Sequence, residues 1–283
     1  MLVKLNGVRS AEAAMDKANL MWSVEQAPLV TGNGLDIDSH KALYRSDSKK
    51  ILGVVGQDYE IIQNTTAFAF FDVIAERYGA RYEYAGIIKE GRKIFLQAKL
   101  GQSFEAVPGD QIDNYVTMVT SHDGSSSLRA FLSPIRLFCQ NQLIRCIKAA
   151  TTNVMLKHTS NVNDRLRDAM NVFRMSTKAF EIFEEKAKYL ARKLVNKQMV
   201  ERFLNEVIED TGSTRAKNQK ERLLELFEHG RGNTGKTAFH LYNSVTDWVD
   251  HERTSDPEKA LDSAMFGSGA LLKEKAFATS LAL

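Results

Sequence analysis

Two different hydrophobic periodicities divide this chain of 283 residues and limit the folds open to it. Up to about residue 158, apolar and polar residues alternate in short runs, which is typical of half-buried strands. In the later sequence apolar residues recur every three or four positions, as in amphipathic helices. We therefore predict an α+β protein, with a mixed α/β half over 1–158 that holds a mainly antiparallel sheet and a mainly helical half over 159–283.

Short polar turns set the order of the strands in the first half. Ser46-Asp47-Ser48 separates two β-like runs and Glu90-Gly91 separates two more, so each pair is expected to form a hairpin. Turn-forming residues over 122–125 separate a third pair. The predicted strands are 42–45, 51–55, 81–89, 92–100, 112–121 and 128–132.

Helices are predicted in both halves from capping residues and apolar spacing. Ser10 is the expected N-cap of a short helix over 10–21, and Asn64 or Thr65 caps a helix through Arg77. A basic helix is expected from about Pro134. The first helix of the second half spans about 34 residues, or roughly 50 Å, and is a natural oligomerisation element. The helices predicted there are 162–195, 199–208, 217–228 and 237–251.

The composition argues against secreted, disulfide-rich and membrane-spanning proteins. Cys139 and Cys146 lie seven residues apart in an apolar stretch, which favours reduced thiols over a disulfide framework. No segment approaches the roughly 20 apolar residues of a membrane-spanning helix, and no apolar run follows Lys4 and Arg9. We therefore expect a cytoplasmic protein.

The net charge is only +3, but the charges are unevenly distributed. Residues 129–198 contain 14 Lys and Arg against 5 Asp and Glu, a local charge of +9 that leaves −6 for the rest of the chain. Between Gly124 and Asn163 there is no Asp or Glu at all. Such a strip suits a polyanion, because each phosphate contact releases condensed counterions, although an ordinary solvated surface is the alternative. The candidate nucleic-acid-binding residues are Arg129, Arg136, Arg145, Lys148 and Lys157.

Aromatic residues near this strip could stack on the bases of a single strand. The candidates are Tyr82, Tyr84, Phe95, Tyr115, Phe131 and Phe138. Because an aromatic residue in a strand packs inward about as readily as outward, most of these rings are expected in the core. Phe131 is included in the candidate binding site.

Residues 230–237 satisfy the phosphate-loop pattern G-x-x-x-x-G-K-[ST], but their context does not. Such a loop follows a buried strand and opens a helix, so that backbone amides converge on the phosphates. Here an amphipathic helix over 222–229 precedes the loop, and no strand ending in Asp follows it to hold magnesium. A helix–loop–helix is therefore favoured, with Lys236 as the residue that would decide a nucleotide site.

Two further clusters are weak candidates for chemistry. Residues 120–127 place hydroxyl groups beside His122 and Asp123, but catalytic triads are assembled from distant segments and such clusters are ordinary in turns. Asp247 and His251 share a helix face near Asp250, yet no Cys or second His lies nearby at metal-ligand spacing. We expect no catalytic residue, no metal and no cofactor.

Several longer segments carry a resemblance to one family. They are 53–64, 68–72, 79–86, 91–95, 120–129, 134–136, 139–141 and 242–251. Together they resemble the phage/plasmid-like protein family, the domain of unknown function 932. The resemblance implies a phage, prophage or plasmid origin and a bacterial host cell. It also implies that the late Gly-rich segment is a family loop in which the Gly-Lys-Thr triplet at 235–237 is an accident of this member. It implies no biochemical activity.

The predicted order of hairpin, strands and basic helix also resembles, more remotely, the single-strand annealing recombinases of the phage Beta/RecT and eukaryotic Rad type. In those proteins a curved sheet and its helix line a positively charged groove on oligomeric rings or filaments. The likeness covers the arrangement and the basic residues, not motifs. Annealing needs neither ATP nor a nucleophile, only neutralisation of the backbone that leaves the bases able to pair.

We therefore expect a DNA-binding protein of a mobile element, not an enzyme, that binds or anneals single-stranded DNA in recombination as a homo-oligomer, with no membrane partner. The alternative is a phage interaction protein that binds a host or phage protein, in counter-defence or assembly, through the long helix. The charges of that helix leave both open, because its Lys and Arg residues alternate with Glu181, Glu184 and Glu185 at spacings that allow pairing within the helix.

Overall fold

A computed structural model of the protein describes residues 2–69, 72, 79–126, 128–136, 141–142, 154–155, 162–209 and 212–283. Strands occupy the first part of the chain and helices the second, so the predicted α+β class is confirmed. Two compact units share the chain. Unit 1 consists of Met1–Gly101, Tyr115–Phe131 and Thr152–Ser176, and unit 2 of Gln102–Asn114, Leu132–Thr151 and Thr177–Leu283.

The elements follow the predicted order with a few additions. The strands are β1 (Leu2–Val8), β2 (Val24–Val30), β3 (Asp36–Arg45), β4 (Ile51–Gly56), β5 (Arg81–Ile88), β6 (Lys93–Glu105), β7 (Gln111–Ser121), β8 (Arg129–Leu132), β9 (Ile135–Arg136), β10 (Asn141–Gln142) and β11 (Val154–Met155). The helices are α1 (Ala11–Lys17), α2 (64–69), α3 (Val162–Arg192), α4 (Lys197–Val207), α5 (Thr214–His229), α6 (Ala238–His251), α7 (Pro257–Phe266) and α8 (Ser268–Ala282).

Two sheets hold these strands. The larger has the order β1-β5-β6-β7-β8-β11, with β9 paired to β7 and to β10, and the smaller has the order β2-β3-β4. The three predicted turns each join neighbouring strands of these sheets, so the hairpin predictions are confirmed. At the β5–β6 turn Lys89, Glu90 and Gly91 all have positive φ, and the side chain of Trp22 lies 3.1 Å from where a Cβ of Gly91 would stand. Glycine is therefore the residue that fits this turn.

The core of unit 1 lies against one face of the larger sheet. Alternate residues of β6, from Ile94 to Leu100, are buried there together with Val116 and Met118 of β7. Helix α1 packs against β1 and β5 and adds Ala14 and Met15 to this core. Ser10 Oγ caps the helix by accepting the Ala13 amide at 3.2 Å. The predicted cap is thus confirmed, although the helix ends at Lys17.

Unit 2 contains a separate core between its helices. Helix α6 lies at its centre, because every residue from Ala238 to Val249 is buried. Large aromatic residues of α3, α4 and α8 fill the space around it, among them Phe183, Phe203 and Phe277. The helices predicted over 162–251 are confirmed as α3 to α6. Helices α7 and α8 were not predicted, although Asp256 caps α7 and Pro257 follows it, which is a recognisable start signal.

The basic helix predicted from Pro134 is wrong where the structure describes it. Ile135 and Arg136 form strand β9, which pairs with Asp113 and Ile112 of β7. Residues 141–142 form β10, which pairs with β9. The apolar spacing that suggested a helix also fits short strands, and pairing with a distant strand decided between them. The remainder of the predicted helix, with Cys139 and Cys146, lies outside the described residues. The helix predicted through Arg77 is confirmed over 64–69 and at residue 72.

The register of β5 and β6 generates a test of this fold. Gly86 lies opposite Phe95, whose ring occupies the space that a Cβ at residue 86 would need. We expect Gly86→Ala to lower the free energy of unfolding by about 1–3 kcal/mol, as overpacking of a core does, in a urea titration. Gly101→Ala in β6 is the matched control, since nothing lies within 4 Å of a Cβ there. An equal effect of the two substitutions would contradict this packing.

Candidate functional site

The second face of the larger sheet combines aromatic and basic side chains, and we call it the aromatic face. Alternation along β6 places Lys93, Phe95, Gln97 and Lys99 on it, opposite the core positions. Leu128, just before β8, and Ala130 of β8 are core positions, so the neighbouring Arg129 and Phe131 point to the aromatic face. The aromatic face within unit 1 consists of Tyr84, Lys93, Phe95, Gln97, Lys99, Tyr115, Thr117, Arg129 and Phe131.

Direct contacts between strands confirm that these residues share one face. The Gln97 carboxamide donates to Thr117 Oγ1 at 2.7 Å, and both residues are fully buried. The rings of Tyr84 and Tyr115 have their centroids 6.3 Å apart and tilted by 46°. These two contacts join neighbouring strands of the sheet across this face.

The charges and the rings of the aromatic face differ in accessibility. Lys93, Lys99 and Arg129 are half-buried, as long basic side chains are when their stems pack and their heads reach water. Phe95 and Phe131 are buried, the latter with 1% of its surface exposed. Partial burial, and to a smaller extent the charge of Glu83, raise the pKa of the Tyr84 hydroxyl above its ordinary value. The three cations and the Tyr84 ring are thus more accessible than Phe95 and Phe131.

The residues predicted to bind nucleic acid are placed as follows. Arg129 lies in β8, opposite Met155 of β11, on the aromatic face. Phe131 lies beside it in the interior, so its predicted stacking on a base is not compatible with its burial. Arg136 belongs to β9, where the backbone is described and the side chain is not. Arg145, Lys148 and Lys157 lie outside the described residues. Lys93 and Lys99 were not in the predicted set, because their local sequence is not free of acids.

Two buried polar side chains, those of His122 and Asn64, meet at the end of β7. His122 Nε2 lies 2.8 Å from Asn64 Oδ1, and the Asn64 amide donates to the carbonyl groups of Leu20 and Trp22 at 2.9 and 3.1 Å. Because the amide nitrogen is engaged with two acceptors, Oδ1 is the acceptor toward the imidazole, which assigns the proton to Nε2. This arrangement ties two loops and the start of α2 to the end of β7.

The environment keeps His122 neutral. Burial lowers the pKa of the imidazole to about 4, against a smaller opposing effect of the Asp123 charge. The ring centroids of Trp22 and His122 lie 5.5 Å apart in an edge-to-face arrangement. The guanidinium carbon of Arg45 lies 4.4 Å from the centroid of the same indole. A side chain surrounded in this way holds position rather than exchanging protons near neutral pH.

The hydroxyl and carboxylate groups next to His122 form hydrogen bonds with the backbone of the turn. Ser121 Oγ donates to the Ser126 carbonyl at 2.7 Å and accepts the Ser126 amide at 2.8 Å. Asp123 Oδ1 accepts the Ser125 amide at 3.0 Å. These are the side-chain bonds of a tight turn, as the sequence predicted. The hydrogen-bond partner of the imidazole is Asn64 and not a hydroxyl group of residues 120–126, which the structure describes.

The loop with the phosphate-loop pattern joins two helices, as predicted. It begins at Gly230, which ends α5, and stops at Thr237, whose hydroxyl caps α6. Asn233 Nδ2 donates to the carbonyl group of Leu226 at 2.8 Å, and Lys236 is exposed. The preceding element is a helix, whereas in nucleotide-binding loops it is a buried strand.

The acidic residues of α6 are engaged in ion pairs. Arg231 Nη1 donates to the buried carboxylate of Asp247 at 2.6 Å, and Lys273 donates to Asp250 at 2.8 Å. Within the described ranges no group of three or more His, Cys, Asp or Glu is arranged to hold a metal ion. None of the helices described is both long and apolar enough to cross a membrane.

Comparison with known proteins identifies a family. Residues 51–267 match the model of the family described as a domain of unknown function, DUF932. The chain belongs to the DUF932 family. No curated protein and no solved structure matches the chain. The matched span includes all of β7, the whole aromatic face and the loop after α5, so these lie within the DUF932 domain.

The depressed pKa of His122 predicts a pH dependence of stability. An unfolded histidine titrates near pH 6.5 and the folded one near 4, so the unfolded state binds more protons between these values and stability falls as the pH is lowered through this window. The difference between the two pKa values corresponds to a change of about 3 kcal/mol in the free energy of unfolding, which urea unfolding at several pH values would measure. His122→Gln, which keeps a donor toward Asn64, should lose this slope. His40→Gln removes an exposed imidazole of β3 and is the control. An unchanged slope in His122→Gln would contradict the assignment.

Proposed function

We propose that this DUF932 protein binds single-stranded nucleic acid through its backbone phosphates, without ATP, and promotes annealing or recombination in a phage or other mobile element. The observation that carries the proposal is the charge distribution: 40 consecutive residues, 124–163, without a carboxylate. A strip of this kind lowers the free energy of a bound polyanion through counterion release. Arg129, which belongs to the strip, reaches the aromatic face beside Lys93 and Lys99.

The accessibility of the aromatic face supports a backbone-binding mode. Its cations are half-buried and its phenyl rings are interior, which favours contacts to phosphates over stacking on Phe95 or Phe131. Contacts to phosphates fix a strand without reading its sequence. Bases that the protein leaves unoccupied can pair with a complementary strand, which is what annealing requires.

The first test measures binding and its salt dependence. We expect fluorescence anisotropy with a labelled single-stranded oligonucleotide to show binding that weakens steeply between low and high salt. Changing Arg129, Arg136 and Lys148 together to Gln should weaken binding. The slope of log K against log [salt] should become shallower by about 0.7 for each phosphate of the single strand that the variant no longer neutralises. Changing Lys93 and Lys99 to Gln tests the aromatic face in the same way.

The matched control changes Arg202, Lys217 and Lys259 to Gln, which removes three exposed charges from α4, α5 and α7, outside residues 129–198 and outside the aromatic face. It should leave affinity and slope close to those of the wild type. Binding that survives the Arg129, Arg136 and Lys148 substitutions, or that falls equally in the control, would contradict the proposal.

The surface of α3 favours one alternative, association with another protein or with a second copy of the chain. Ile182 and Tyr189 lie seven residues apart on one helix face, with 37% and 51% of their surfaces exposed, and Leu194 beyond the helix is 73% exposed. Exposed apolar side chains in a row are typical of interaction surfaces.

Light scattering coupled to size exclusion tests this alternative. If the face of α3 mediates self-association, Ile182→Ser with Tyr189→Ser should shift the protein to a smaller species, because the substitutions remove the apolar area that association would bury. Glu181→Ser with Glu185→Ser alters neighbouring exposed positions and is the control. An unchanged mass in both variants would exclude this face as a self-association surface.

A further inference from the structure

A groove in unit 2 has the composition of a binding site for an anion. It lies where the end of α4, the start of α5, the end of α6 and the side of α8 meet, and it has a volume of about 500 Å³. Val207, Ala216, Trp248 and Leu272 give it an apolar lining. Volumes of roughly 300–1,000 Å³ with a mainly apolar lining are usual for sites of small molecules.

Three cations converge on this groove. They are Arg215, Arg253 and Lys275, and the one acidic residue among the described residues of the lining is Glu209. Within the described parts of the chain none of the three forms an ion pair with a carboxylate. Arg253 Nη1 donates to Ser263 Oγ at 3.0 Å, and Lys275 Nζ donates to the Val207 carbonyl at 3.4 Å. The groove therefore carries a net charge of +2 from its described lining.

This arrangement opposes the stability of the protein when the groove is empty. Arg215 lies in the first turn of α5, where the helix dipole disfavours a cation, and that turn contains no acidic residue. Arg253 is partly buried beside the indole of Trp248, with 5.8 Å between guanidinium carbon and ring centroid. Burial, and then the charge of Arg215, lower the pKa of the Arg253 guanidinium. An anion placed between the cations would favour their charged forms and so offset these penalties.

We propose that the groove binds a small phosphate monoester, with its phosphate between Arg215, Arg253 and Lys275 and its apolar or aromatic body on Leu272 and the edge of Trp248. A phosphate monoester carries close to two negative charges at neutral pH and matches the net charge of the groove, whereas a carboxylate would leave one charge uncompensated. Guanidinium groups offer paired donors to phosphate oxygens, and the first amides of α5 add to the same attraction.

This site is separate from the proposed nucleic-acid surface. Its described lining lies within 207–275 and contains no residue of the aromatic face or of the segment 124–163. The two proposals can therefore fail independently, and the variant with Gln at positions 129, 136 and 148 should retain the groove.

The chain offers a specific optical probe of the groove, because it has only two tryptophan residues, Trp22 and Trp248. In a Trp22→Phe background, we expect a nucleoside 5′-monophosphate to change the emission of Trp248 on titration. Calorimetry on the wild-type protein should give the same affinity. The corresponding nucleoside, and a nucleoside 5′-carboxylate of similar shape, should each bind at least tenfold more weakly.

Arg215→Gln and Lys275→Gln change exposed side chains and should each weaken binding of the monophosphate at least tenfold. Arg192→Gln, an exposed arginine at the end of α3, is the matched control and should leave the affinity unchanged. Because Arg215 opposes the helix dipole, Arg215→Gln should also raise the Tm of the ligand-free protein. A lowered Tm with unchanged affinity would show that Arg215 serves folding and would overturn the proposal.

Two other results would also overturn it. The first is the absence of monophosphate binding at millimolar concentration in the wild-type protein. The second is equal affinity for the monophosphate and the carboxylate, which would remove the phosphate assignment.

Discussion

The two-residue alternation of β6 is the constraint on which unit 1 depends. Ile94, Leu96, Ala98 and Leu100 build the core on one face, and the intervening residues supply the aromatic face. A slip of one residue would exchange the two sets, so the pairing with β5 must be held in register. Gly86 contributes to this, because the Phe95 ring lies where any larger residue would carry its Cβ. Core and candidate interface thus follow from one strand pairing.

The sequence allowed the local features of the fold to be predicted but not all of the pairing partners. Turns and caps such as Glu90-Gly91 and Ser10 act within a few residues, and the structure confirms them. Strand β2 was missed because Pro28 lowers the strand signal of its run, while pairing with β3 overrides that preference. At residues 135–136 the local pattern was ambiguous and a distant segment, β7, determined the outcome.

The candidate site likewise combines features that could be predicted from the sequence with features that depend on distant packing partners. Net charge along the chain is a property of the sequence, so the basic strip could be recognised, whereas the burial of Phe131 depends on packing that alternation alone does not specify. His122 illustrates the converse. Its hydroxyl and carboxylate neighbours suggested chemistry or a turn, and the partner that matters, Asn64, lies 58 residues away. Both residues are buried, so their hydrogen bond removes what would otherwise be two unsatisfied polar groups.

The distribution of charge pairs separates solvated helix surface from candidate binding surface. On α3 to α5 several cations have carboxylate partners within reach, as in Lys188–Glu184, Arg202–Glu206 and Arg222–Glu252. Exposed pairs of this kind add little to stability and leave little potential to attract a ligand. In the groove of unit 2, by contrast, Arg215 lies in the first turn of α5 and repels Arg253, which follows the end of α6. The helix dipole would favour a carboxylate in the first turn of α5 if stability of the fold were the only requirement. Binding of an anionic ligand gives a physical reason for placing two arginines in this groove instead.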